Sequence, residues 1–264
     1  MAAASRSPKS DPARAKGVGR RMALTPELVA LSLRPEPDLG LEPDRTLLSE
    51  AELDELARHH HGLCGDAPFW VFAYGSLIWK PDFDAVDQMR ATAYGWHRSF
   101  CLKMRRWRGS PDQMGLMMAL EPGGRCDGVI YRLPEENRLQ QVRRVLYREV
   151  RFRETRTMAR WMPVHTAAGR MRALTFWAGP SGARVARKLP LEEVARILAR
   201  ACGHAGSCAE YLYNTVAHLE AFGIRDRNLW HLQELVAREL RNLHLAERPD
   251  QPADPSLAEG ADAA

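Results

Sequence analysis

No stretch of this chain approaches the ~20 consecutive apolar residues that a membrane-spanning helix needs, so the sequence predicts no such span. The N-terminal residues lack the apolar core of a secretory signal, and the expected compartment is the cytoplasm. Cysteine is scarce and odd in number: five, at positions 64, 101, 126, 202 and 208. No pair has Cys-x-x-Cys spacing, which argues against a zinc site or redox dithiol and predicts reduced, partly buried thiols. Also missing are a Gly-x-Gly-x-x-Gly fingerprint, a phosphate-binding loop, a Gly-x-Ser-x-Gly elbow and a His-Glu-x-x-His pair. No internal repeat of 20–50 residues is present. His59-His60-His61 is the one histidine cluster, but successive helical residues point about 100° apart and do not converge on one ion. Neither a metal nor a cofactor is expected.

What is present is the balance of a globular protein, with 45% apolar and 27% charged residues in 264. The formal net charge of +5 is spread unevenly. Residues 5–21 carry six basic residues against Asp11, and residues 247–264 are mainly acidic. Both ends are poor in aromatics and rich in Ala, Pro or charge. The expected organisation is a disordered basic leader over 1–40, one folded domain over 41–245 and a disordered acidic tail over 246–264.

Within the domain, Ser49-Glu50-Ala51-Glu52 is a capping box that opens a short helix. Phe69 to Ile78 reads as a buried strand, and Ala91 to Met104 as a strand with Gly95 at a bulge. Glu121-Pro122-Gly123-Gly124 and Ala167-Ala168-Gly169-Arg170 read as two hairpin loops. A helix from Pro134 to Glu149 is expected between the hairpins, with Leu139, Val142, Val145 and Leu146 on its apolar face. The last third reads as three helices, one opened by Ser207 and the last capped by Asp226. The predicted class is α+β, a small mixed sheet or barrel with helices around it.

Two features point to chemistry. An apolar strand ends abruptly at Tyr74-Gly75-Ser76-Leu77, where glycine permits a tight turn and close approach of a ligand. The N–H groups of Gly75, Ser76 and Leu77 would then form a small nest for an anion or a developing negative charge. The second feature is Glu149. It continues the apolar face of its helix and lies at the C-terminal end, where burial and dipole both push a carboxyl pKa upward, into the range of a proton shuttle. An ordinary turn, and a structural ion pair with Arg148, are the competing readings of these two features. The basic run Lys103, Arg105, Arg106 and Arg108 is read as balancing an acidic small molecule in preference to nucleic acid.

The segment Val71-Phe72-Ala73-Tyr74-Gly75-Ser76-Leu77-Ile78-Trp79-Lys80-Pro81 closely resembles the signature strand and loop of ChaC-type γ-glutamyl cyclotransferases. The resemblance continues through Gly128-Val129-Ile130-Tyr131-Arg132-Leu133, Leu146-Tyr147-Arg148-Glu149 and Tyr211-Leu212-Tyr213-Asn214-Thr215, covering about residues 68–240. It implies a γ-glutamyl cyclotransferase-like mixed β-barrel with surrounding helices. It also implies a lyase of glutathione catabolism that forms 5-oxoproline and cysteinylglycine without a cofactor. Glu149 would move the proton, and Tyr74, Gly75, Ser76, Leu77 and Tyr211 would bind the substrate. Other γ-glutamyl peptides or amines, or a non-catalytic binding module of the same fold, are the alternatives. After Glu149 the chain departs from the family pattern in the basic stretch Val150-Arg151-Phe152-Arg153-Glu154, which makes Glu154 a rival base.

Overall fold

The computed structural model describes residues 21–180 and 184–247. The helices are α1 (Pro26–Leu31), α2 (Glu50–Gly62), α3 (Arg138–Val150), α4 (Leu191–Arg200), α5 (Cys208–Ala221) and α6 (Arg227–Glu247). The strands are β1 (Trp70–Ala73), β2 (Asp87–Met104), β3 (Gly115–Arg132), β4 (Ala159–Thr166), β5 (Gly169–Phe176), and the short pair β6 (Cys202–Gly203) and β7 (Gly206–Ser207). Five strands close a barrel in the order β1-β3-β2-β4-β5, with β1 and β5 meeting in parallel at Val71 and Leu174. The α+β class and the barrel both match the sequence reading.

Composition explains the centre of the barrel. Trp-Val-Phe-Ala of β1 has no polar side chain and all four residues are buried, so this strand is covered on both faces. Phe72 of this strand and Phe69, Leu120, Ile130, Leu133 and Leu174 belong to one core, each with less than 2% of its surface exposed. The wall is made largely by β2 and β3, which pair from Asp87–Arg132 to Met104–Gly115.

This pairing corrects one expectation. Glu121-Pro122-Gly123-Gly124 is not a hairpin loop but lies within the single strand β3. Tyr94 pairs with Arg125 and Trp96 with Pro122, so Gly123 and Gly124 stand opposite Gly95. All three glycines have positive φ (79°, 106° and 75°), a region open to glycine without a Cβ penalty. The ribbon bends there as a whole and does not reverse. The bulge expected at Gly95 is real, and its partner glycines were misread as a turn. The second hairpin is present, with a turn at Ala167-Ala168 joining β4 to β5.

The helices follow their caps. The Ser49–Glu52 capping box is formed in both directions and α2 runs to Gly62. Ser207 accepts the Glu210 N–H at 3.0 Å, but the Glu210 carboxylate turns away to Arg108, so only half a capping box forms at α5. Asp226 accepts the Leu229 N–H at 3.1 Å. His60 points into the core, 5% exposed, and burial lowers its pKa to about 4, while His61 turns away to Arg138. His59 meets the His60 ring edge-on at 5.2 Å, and with His61 on Arg138 the three imidazoles do not converge on one point.

The leader does not extend to residue 40. Leu24, Leu28 and Val29 are buried in the main core, Ser32 Oγ donates to Ser207 Oγ at 2.7 Å, and Gln233 accepts the Leu24 N–H at 2.8 Å. A Pro- and charge-rich sequence hid this anchor because its apolar face is only one short helix wide. Residues 1–20 and 248–264, which hold most of the expected leader and tail, lie outside the described residues.

Candidate active site

The chain leaves β1 at Ala73 and enters one 3₁₀ turn at Ser76–Ile78. Tyr74, 8% exposed, fixes the start of this turn by donating its hydroxyl to the Phe176 carbonyl at 2.7 Å, at the end of β5. Gly75 is required by its surroundings: a Cβ there would stand 2.7 Å from the Tyr211 hydroxyl. That closeness lets Tyr211, reaching in from α5, accept the Ser76 N–H at 3.2 Å. The N–H groups of Gly75 and Leu77 have no acceptor among the described residues. Of the three donors expected in a nest, two are therefore open and one is held by Tyr211.

Glu149 lies in the last turn of α3, one residue before its end. Val142, Val145 and Leu146 are buried as the periodicity predicts. Leu139 is not; it is 42% exposed, and Gln141 takes the buried position, its amide and carbonyl bonding Asp84 at 2.7 and 3.0 Å. The Glu149 side chain is 21% exposed and lines a cavity of about 730 Å³ that Tyr74–Leu77 and Tyr211 also line. Burial raises its pKa above the ordinary carboxyl value. The Arg148 guanidinium opposes the rise, the Asp82 carboxylate adds to it, and the net direction is upward.

Arg148 joins the two halves of the site. Its Nε lies 3.0 Å from Glu149, its Nη2 donates to Ser76 Oγ at 3.0 Å, and its Nη1 meets the Lys80 carbonyl and, at 3.2 Å, Asp82. The Ser76 hydroxyl thus faces a cation and not a base, which leaves no activated serine nucleophile. Tyr74 and Tyr211 are both held in their protonated form, chiefly by burial and next by the Glu149 charge. Trp79 and Phe100 pack edge-on to Tyr211 at 5.8 and 5.9 Å, fixing its ring.

The structure separates the two candidate carboxylates. Glu154 is exposed and its oxygens accept the Thr46 N–H at 3.2 and 3.3 Å. Slight burial pushes its pKa up, but hydrogen bonds from its own and the Thr46 backbone N–H outweigh this and hold it below the ordinary range. It is an ionised surface group, and Glu149 is the shielded one. In the basic run, Arg106 pairs with Asp38 at 2.7 Å outside the cavity. Arg108 and Lys103 line it, and Arg108 is held by Glu210 at 2.6 Å. Arg148 as a link between turn and acid was missed because its partners Ser76, Lys80 and Asp82 lie more than 60 residues earlier. Among the described residues no three His, Cys, Asp or Glu side chains cluster as a metal site.

A family model described as ChaC-like protein matches residues 69–239. The glutathione-specific gamma-glutamylcyclotransferase of Escherichia coli K12 is 35% identical over 168 residues, covering 62% of this chain and 71% of that protein. Gamma-glutamylcyclotransferase 2-3 of Arabidopsis thaliana is 27% identical over 184 residues, covering 63% and 87%. The crystal structure of the yeast cyclotransferase specific to glutathione superposes with a TM-score of 0.57 at 21% identity, over 65% of this chain and 96% of that one, a likeness of fold. The turn, the acid and Tyr211 all fall within the matched span, and the chain belongs to the ChaC-like family.

Proposed function

We propose that this protein is a γ-glutamyl cyclotransferase that cleaves glutathione to 5-oxoproline and cysteinylglycine. The observation that carries the reading is a shielded carboxyl of raised pKa, Glu149, sharing one cavity with a turn that offers two open N–H donors. The α-amine of the γ-glutamyl group attacks its own γ-carbonyl, closing a five-membered lactam and expelling the cysteinylglycine amine. One proton must leave the attacking nitrogen and one must reach the departing nitrogen. Glu149 serves both steps, accepting the first proton and returning it. The Gly75 and Leu77 N–H groups suit the oxyanion that grows on the γ-carbonyl. Holding the flexible glutamyl arm curled in the cavity removes much of the entropic barrier. Nucleophile and electrophile come from one substrate molecule, so the reaction as drawn calls on no cofactor.

The purified protein incubated with glutathione should release 5-oxoproline; absence of that product would overturn the reading. Tyr211→Phe removes the acceptor of the Ser76 N–H and frees the turn. It is expected to lower kcat/KM about tenfold, the worth of one hydrogen bond of roughly 1.4 kcal/mol, and to lower Tm by roughly 3–6 °C because the bond is already made in the free protein. We place the activity in the cytoplasm, on the strength of five free thiols. No helix among the described residues is long and apolar enough to cross a membrane.

A further inference from the structure

The cations of the cavity fall into two groups. Arg108 is matched by Glu210 at 2.6 Å, Arg148 by Glu149 and Asp82, and Arg184 by Asp44 and by Glu42 at 2.5 Å. Arg45, Arg151, Lys80 and Lys103 also line the cavity, and none of these side chains makes an ion pair or hydrogen bond among the described residues; of the four, only the two arginines offer a forked donor. Both are half-buried and rest on aromatic faces instead: Arg45 over Phe152 at 4.9 Å, Arg151 over Trp107 at 5.0 Å and Tyr147 at 4.8 Å. Glu42, Asp44 and Glu154 act on Arg45 from a distance, yet burial and the neighbouring Arg184 charge still destabilise its cationic form.

Their placement is built into the backbone. The segment Thr46–Leu48 runs antiparallel to Arg151–Arg153: the Leu48 N–H donates to the Arg151 carbonyl and the Arg153 N–H to the Thr46 carbonyl, both at 2.9 Å. Leu47 and Phe152 bridge between them. Arg45 is thereby carried onto the wall that begins two residues after Glu149. It comes from a strap that precedes the span matched by the family model, 69–239.

A half-buried guanidinium with open N–H donors is complementary to a carboxylate, and two of them lining one cavity leave an unbalanced positive charge. We infer that Arg45 and Arg151 form the subsite for the C-terminal carboxylate of a γ-glutamyl peptide bound in this cavity. This rests on the cyclotransferase reading and sharpens it: γ-glutamyl peptides are selected over γ-glutamyl amines that end without a charge.

The test compares glutathione with its C-terminal amide as substrates for the wild type, Arg45→Met, Arg151→Met and the double variant, with 5-oxoproline as readout. The wild type should prefer the acid about tenfold or more in kcat/KM, from charge-assisted hydrogen bonds to the carboxylate. The preference should shrink in each single variant, vanish in the double, and return in part with Arg45→Lys. The acid-to-amide ratio is internal to each protein, so a variant that is partly unfolded still reports it. Retention of the wild-type ratio in the double variant would overturn the inference. If the wild type turns over neither compound, the cyclotransferase reading fails and calorimetric binding of glutathione decides the subsite alone. Weaker binding by the double variant supports the subsite, and equal binding excludes it.

Discussion

Glu149→Gln is expected to lower kcat/KM for glutathione by roughly 10²–10⁴-fold, the usual contribution of a positioned acid–base group, while leaving the fold intact. The amide keeps the shape and the contact with Arg148, which stays tied to Ser76 and Asp82, but it cannot carry the proton. Because burial raises the Glu149 pKa above 4.5, the acidic limb of the wild-type kcat/KM profile should lie above that value and be missing from the variant's residual activity. Stability should move the other way. A carboxyl whose native pKa exceeds its unfolded one binds protons more tightly when folded, so its contribution is favourable below the unfolded value and lost as pH rises through the native one. Glu149→Gln should therefore melt above the wild type at neutral pH, with the advantage shrinking as pH falls toward 4.5. Equal activity of variant and wild type would remove Glu149 from the mechanism. A lower melting temperature at neutral pH would show that the Arg148 pair outweighs the cost of burial.

Gly128→Ala is expected to destabilise the protein by about 3 kcal/mol, the upper end for overpacking a filled core, which lowers Tm by roughly 6–12 °C in a domain of this size. Gly128 lies on β3, paired with Ala91 of β2 and next to Val129, the partner of Ala73 of β1. A Cβ there would run into the Ala73 carbonyl oxygen and stand 2.8 Å from the Phe72 ring, which is fully buried and has nowhere to go. Displacing Ala73 also moves the next residue, Tyr74, whose hydroxyl is anchored on Phe176. Activity should accordingly fall along with stability. A thermal melt of the variant overlaying the wild type's would show that the β1–β3 contact yields more easily than its geometry says.

The parts of this protein legible in its sequence are those governed by neighbours along the chain. The Ser49 capping box, the Gly95 bulge, the apolar β1 and the sudden turn at Gly75 depend on local propensity and periodicity, and each is where the sequence places it. Glu149 was legible for the same reason, as a carboxylate continuing an otherwise apolar helix face. Where the outcome hinges on distant partners, local signals misled. Glu121-Pro122-Gly123-Gly124 has turn composition, but β2 bends alongside it and satisfies its backbone, so the strand continues. Residues 22–33 look like leader, but the core supplies what so short a helix cannot supply for itself. The turn at Tyr74–Leu77 is local, whereas its use is not: Tyr211 enters from 135 residues away to hold Ser76, and Arg148, the neighbour of Glu149, reaches Ser76 across 72 residues. The sequence by itself determined which strand, turn and acid this protein has, because those follow from contacts a few residues apart. Barrel closure decided that they share one cavity, and that Arg45 joins them, because only the packed chain brings such distant charges together.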